Sequence, residues 1–240
     1  MDNNLILKAT IQVFNECKIQ SFPIDCIKIL KHYGFRIFTY KELKEKNAEL
    51  YEMCLAYSED AFCEGSTRIV AYNDEKPVGR IRFSLMHELG HHILNHNGSS
   101  NNTEKEANTF ASYILSPRMA IHYAKCKNAN DVSKIFKISH EAAENAFDDY
   151  RKWHRRIVTH KMSTYDKAMY AHFYNSEKNC FVWSIKKCDF CGKTLYNSID
   201  DRCSFCTLPP ATKNYEYDDS LWKSNVEQLH VAHLKWLYDF

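Results

Sequence analysis

The chain has 240 residues, 45% of them hydrophobic, and sets 32 basic against 30 acidic residues for a formal charge of +2. That length holds one catalytic domain and one or two small modules, and the charge balance gives no general pull toward nucleic acid, membrane surfaces or acidic substrates. No run of 18 apolar residues suggests a membrane span, and the polar start Met1-Asp2-Asn3-Asn4 lacks the basic and apolar regions of a signal peptide, so a cytoplasmic location is expected.

Helical spacing of Leu5, Ile6, Ala9, Ile11, Val13 and Phe14 predicts a first helix over 5–18. A second is predicted over 24–33, with Pro23 in its first turn and Gly34 as its stop. Phe35 to Phe38 reads as a short strand and 41–49 as an exposed charged stretch. Two more strands are expected, near 51–58 and at 67–72, before a turn beginning at Asn73-Asp74. Helices follow from Ser84 to Leu94 and from 104 to 115, separated by the polar loop 95–103, with Pro117 stopping the second. Two short helices joined by a turn are expected over 131–150, then a basic stretch over 151–161. Paired cysteines span 188–206, and Leu208-Pro209-Pro210 closes that unit. The apolar spacing of Leu221, Trp222, Val226, Leu229, Leu234 and Leu237 predicts a final helix.

The helix over 84–94 carries His87-Glu88-Leu89-Gly90-His91. Residues four apart on a helix lie about 40° apart, so His87 and His91 can present both imidazoles to one cation. Glu88 is rotated away from the ligand face, where it can act as general base on a zinc-bound water without itself ligating. A chance match on an amphipathic helix is the competing reading; two histidines and a glutamate among Phe83, Leu85, Met86, Leu89, Ile93 and Leu94 would then be desolvated to no purpose.

A third protein ligand is required. The metzincin pattern would place glycine at 94 and histidine at 97, where this chain has Leu94 and Asn97, and His96 is one position off; that class is rejected. His92 points away and reads as structural. On the next helix Thr103-Glu104-Lys105-Glu106 matches a capping box, with Thr103 as N-cap and Glu106 as its partner. The apolar stripe Ala107, Phe110, Ala111, Ile114, Leu115 centres roughly 50° from Glu104 and roughly 110° from Glu106, which makes Glu104 the better ligand. Asn108 follows it at i+4, placed to hydrogen-bond a ligand from behind. A solvated first-turn acid remains the plain alternative for Glu104.

Arg82 to His91, followed by Glu104-Lys105-Glu106-Ala107-Asn108-Thr109-Phe110-Ala111 and Leu115-Ser116-Pro117, resembles the ImmA/IrrE family of zinc metallopeptidases over about residues 20–155. The resemblance implies a compact gluzincin-like core, His87, His91 and Glu104 as ligands of a catalytic zinc, and Glu88 as catalytic acid/base. It also implies site-specific cleavage of a partner protein, usually a helix-turn-helix repressor, in systems that control mobile elements, prophages or stress responses.

Asp131 to Ala143 is similar to family members and reads as a helix-turn-helix fragment with Ser139 capping its second helix. Glu141, Glu144, Asp148 and Asp149 are its exposed candidates and would repel phosphates, so a packing or partner-docking role is favoured over DNA binding. The basic run Arg151-Lys152-Trp153-His154-Arg155-Arg156 keeps DNA binding as an alternative.

Six of the ten cysteines are scattered singly, which in a reducing compartment reads as thiols rather than disulfides. The other four, Cys188, Cys191, Cys203 and Cys206, have the spacing C-x2-C-x11-C-x2-C of a closed structural zinc site, with Gly192 in the turn after the second. An iron centre or redox pair is the alternative. The expected architecture is therefore α+β: a metallopeptidase core over 1–125 with a small sheet, a helix-turn-helix-like segment over 126–160, and a zinc-ribbon-like module with a terminal helix over 161–240. The expected function is zinc-dependent endoproteolysis of a cytoplasmic regulator, using one catalytic and one structural Zn2+, with an extended substrate added beside strand 67–72. The alternative is a proteolytically silent, metal-stabilised protein that binds DNA or a transcription factor.

Overall fold

The computed structural model describes residues 3–64, 67–96, 98 and 100–207. The closing Leu208-Pro209-Pro210 and the terminal helix expected at 221–237 lie outside the described residues. Within them the chain is α+β, mostly helical with small sheets.

The first half alternates helices and short strands in the order α1 (Asn3–Glu16), α2 (Cys26–His32), β1 (Arg36–Thr39), α3 (Tyr40–Lys46), α4 (Ala48–Tyr57), β2 (Ala61–Glu64) and β3 (Ile69–Tyr72). Pro23 lies upstream of α2 rather than in its first turn, because Asp25 takes the N-cap and accepts from the Lys28 amide at 3.0 Å. The strand expected near 51–58 is helix α4. Leu50-Tyr51-Glu52-Met53-Cys54-Leu55 has no β-branched residue, and the Asn47 side chain caps the helix by accepting from the Leu50 amide. The charged stretch before it is also helical: α3 opens with a capping box between Thr39 and Glu42.

The sheet has the order β1-β3-β2, β1 parallel and β2 antiparallel to β3, with Ile37 opposite Val70 and Phe62 opposite Ala71. Strand 67–72 is therefore central, hydrogen-bonded on both sides, and cannot accept a substrate strand. The edges are β1 and β2.

Helix α5 (Val78–Ile93) packs on β2 and β3 of this sheet, and α6 (Asn101–Leu115) packs along α5. Helix α5 starts six residues before the expected Ser84, without a side-chain cap at Pro77 to mark it. Its Leu85, Met86 and Leu89 are buried, and so are Ala107, Phe110, Ala111, Ile114 and Leu115 of α6. The helices touch closely at Gly90, where an added Cβ would stand 3.1 Å from the Phe110 ring and 3.2 Å from the Ala107 Cα. A side chain at this position would make those neighbours give by a few tenths of an ångström.

After α7 (Arg118–Tyr123), α8 (Ala129–Phe136) and α9 (His140–Thr159) form the expected helix-turn-helix-like pair. Ser139 caps α9 through the Ala142 amide, and α9 is a full 20 residues that absorbs the basic run. Asp149 is not exposed as expected: it is half-buried and pairs with the Arg118 Nε at 2.7 Å. The turn between α8 and α9 lies against the start of α5, where a Cβ on Gly79 would fall 2.5 Å from the Ser139 nitrogen and 2.7 Å from the Ile138 carbonyl carbon. Both are backbone atoms with nowhere to swing. Gly79→Ala is accordingly expected to destabilise the fold by about 1–3 kcal/mol or more, read as a drop in thermal midpoint; an unchanged midpoint would mean the two units do not meet there.

Helix α10 (Thr164–Phe173) and hairpin β4 (Tyr174–Asn175)–β5 (Cys180–Phe181) return the chain to the core through Phe173, Phe181 and Trp183. One cluster of buried apolar side chains runs from Ile6 to Trp183. Hairpin β6 (Ile185–Lys187)–β7 (Thr194–Tyr196) and the short turn of helix α11 (Ser204–Thr207) form the last described unit. Among the described residues no helix is long and apolar enough to cross a membrane.

Candidate metal centres

The antiparallel run of α5 and α6 sets His87 and His91, one turn apart, opposite Glu104. His87 Nε2 lies 3.0 Å from His91 Nε2, and the Glu104 carboxylate oxygens lie 3.2 Å from the first and 3.5 Å from the second. Tetrahedral donors at about 2.0–2.1 Å from a zinc ion stand about 3.4 Å from one another, so this spacing already fits a bound ion. Two imidazoles and a carboxylate are the donor set of a catalytic zinc that keeps an open position. Burial, reinforced by the nearby His87, lowers the His91 pKa and favours the neutral ring that a ligand must be.

The expected support from Asn108 is present: its Oδ1 lies 2.9 Å from His87 Nδ1, which places the ring proton on Nδ1 and leaves the Nε2 lone pair facing His91 and Glu104. Glu88 sits one residue round the helix from His87 and is partly buried. Burial raises its carboxyl to about 7, with the charge of Glu104 adding to the shift. That value suits a group that must both take and return a proton near neutrality. His92 stands edge-on to the Phe35 ring at 5.0 Å and also lines the cleft over the centre.

The cleft over the centre measures about 810 Å3 and is lined by edge strand β2 through Ala61, Phe62 and Cys63, facing His87, Glu88 and His91. The start of α6 differs from expectation: Ser100 is the N-cap and shares the capping box with Thr103, which leaves Glu106 outside it. Glu106 and His96, both set aside by sequence spacing, instead lie behind His91.

Near the end of the described residues, Cys188, Cys191, Cys203 and Cys206 bring their sulfurs within 4.8 Å of one another. Cys191 Sγ and Cys203 Sγ are 3.7 Å apart, against about 3.8 Å for tetrahedral thiolates at about 2.3 Å from zinc. Gly192 takes φ +72°, and its amide donates to the Cys188 carbonyl at 2.9 Å, closing the turn after the first pair. Amide donors from Cys191 and Cys203 lower the Cys188 thiol to about 6, while the neighbouring Cys203 sulfur pushes the Cys206 thiol up to about 12, so the four thiols share their protons as a group. None of the ten cysteines is in a disulfide.

Residues 31–148, just under half of the chain, match the family model described as the IrrE N-terminal-like domain, a peptidase family. The match covers the sheet, α5, α6 and most of the helix-turn-helix-like pair. It supports the resemblance to the ImmA/IrrE family and a metallopeptidase-type function, and it stops short of the four-cysteine unit. No curated protein matches the chain.

Proposed function

We propose that this chain is a zinc-dependent endopeptidase that cleaves a cytoplasmic regulatory protein. The observation that carries the reading is the convergence of His87, His91 and Glu104 at donor spacing, with the partly buried Glu88 beside them. His87, His91 and Glu104 would hold the catalytic Zn2+. The ion, when bound, supplies Lewis acidity at the scissile carbonyl and makes an attacking water more acidic.

The chain's own residues do the rest. Glu88 takes the proton from the attacking water and returns it to the leaving amine nitrogen. Asn108 fixes the His87 ring so that Nε2 stays free of a proton. An extended substrate segment lies along the outer edge of β2, in the cleft that Phe62 and Cys63 share with Glu88. The resemblance to the ImmA/IrrE family makes a helix-turn-helix repressor the substrate class. The four-cysteine unit would hold a second, structural zinc as a ribbon-like module in the segment from 161 onward, after a peptidase core over 1–125 and the helix pair over 126–160.

Helix α9 presents Glu141, Glu144 and Asp148 to solvent over its first turns, with Glu144 tied to His140 at 3.3 Å. Phosphate would be repelled there, which favours a role in packing or partner docking over reading DNA. Mapping of new protein termini in host cells that make the wild type or Glu88→Gln tests the proposal. A cut found only with the wild type names the substrate; identical sets of termini remove the peptidase reading.

A further inference from the structure

Helix α5 ends in a way that returns the chain beneath its own ligand. Asn95 takes a left-handed φ of +53°, its amide donates to the His92 carbonyl at 3.2 Å, and the His96 amide donates to the His91 carbonyl at 3.0 Å. This pair of bonds is a Schellman motif, and in it the side chain after the left-handed residue packs on the side chain at the third-last helical position. Usually those two are apolar. Here they are His96 and His91.

Their rings meet through nitrogens, with His96 Nδ1 3.1 Å from His91 Nδ1. The other nitrogen of His96, Nε2, lies 3.2 Å from the Glu106 Oε2. The His96 side chain is 6% exposed, so these partners are not exchanged freely with water. The carboxylate fixes the order of protons. Glu106 only accepts, so His96 carries its proton on Nε2 and offers a lone pair at Nδ1. His91 must then donate from Nδ1, which leaves its Nε2 lone pair facing His87 and Glu104.

We propose that His96 and Glu106 form a two-residue relay that holds His91 in its metal-binding tautomer and orientation, as positioning residues of the centre. Each histidine ligand then has its own support from behind: Asn108 for His87, and the Glu106–His96 pair for His91. This inference rests on the zinc-centre reading above. It accounts for a buried histidine next to a ligand and for an acid turned away from the helix cap.

The test is zinc affinity of the full chain by chelator competition. His87→Ala serves as the reference that retains only the four-cysteine ion. His96→Phe keeps the ring but removes the acceptor, and Glu106→Leu removes the carboxylate. Each is expected to weaken the histidine-centre ion about 10- to 100-fold, with Glu106→Gln, which still accepts from Nε2, closer to wild type. Melting of the metal-free proteins accompanies this, because a merely structural role would lower the midpoint without changing the competition curve. Wild-type zinc affinity in His96→Phe and Glu106→Leu would overturn the relay while leaving the peptidase reading in place. Should the wild type hold no more zinc than His87→Ala, the centre itself fails, and the relay with it. Glu106 is partly exposed, so Glu106→Leu and Glu106→Gln carry the test if His96→Phe does not fold.

Discussion

Glu88→Gln is expected to keep a full complement of zinc and to cleave substrate roughly 100- to 10,000-fold more slowly than the wild type. The amide has the shape of the carboxyl but cannot accept the water's proton. Glu88 is not among the three groups whose donor atoms converge, so metal content is preserved. Its carboxyl is partly buried and feels the charge of Glu104, both of which penalise the ionised form. A neutral amide relieves that penalty, so the variant is expected to melt no lower than the parent. Substrate lying along β2 touches residues the substitution leaves alone, so the loss falls on kcat with KM little changed. Purified protein, a metal assay and steady-state cleavage of the mapped substrate decide the matter. Near wild-type turnover would show that another group moves the proton; loss of zinc would place Glu88 in the coordination sphere.

The candidate metal-binding groups could be read from sequence because they depend on local geometry. His87 and His91 share a helical face whatever the helix packs against, and Glu104 and Asn108 do the same on α6. The two Cys-x-x-Cys turns are equally local. The relay could not be read this way, because two capping choices overlap between Ser100 and Glu106. Ser100-x-x-Thr103 and Thr103-x-x-Glu106 both satisfy the pattern, and the choice between them follows from a tertiary contact, Glu106 with His96. The left-handed turn at Asn95 that brings His96 under His91 is signalled only by a polar residue past the helix end.

The sheet illustrates the same limit from the other side. Of the strand expected at 67–72, Ile69 to Tyr72 is extended, in keeping with β-branched Ile69 and Val70, while Thr67 and Arg68 form a turn with Arg68 at φ +51°; nothing in the pattern says that β1 and β2 flank the strand. β2 itself, Ala61-Phe62-Cys63-Glu64, is too short and too poor in β-branched residues to announce a strand. The segment 51–58, expected as a strand, is helix α4, and the expected edge strand 67–72 is the centre of the sheet. Pairing, unlike helical periodicity, is decided by segments far apart in the chain.

Removal of the second metal is expected to open the segment 185–207 while the α5–α6 core stays folded. Between Ile185 and Thr207 the only buried residues are Cys188 and Cys203; Phe190 and Phe205 point outward, 78% and 83% exposed. A two-stranded hairpin of three residues a side is marginal in water by itself. Its other ties are polar: the Lys186–Asp201 ion pair at 2.7 Å is solvent-facing, and Asn197 joins the unit to the core by accepting from the Trp183 amide and donating to the Phe181 carbonyl, both at 2.8 Å, with its own amide on the Ser184 carbonyl at 2.9 Å. Structural zinc in small modules supplies on the order of 10–16 kcal/mol of apparent binding free energy, far more than those contacts. Cys188→Ser should therefore hold one zinc fewer per chain and lose amide exchange protection from β6 through α11, and chelation of the wild type should do the same. The large cluster from Ile6 to Trp183 does not draw on these thiols, so protection in α5 and α6 should persist in Cys188→Ser. Undiminished protection of β6 and β7 after the metal is gone would assign the stability of this unit to its hairpin and leave the four sulfurs without a structural role.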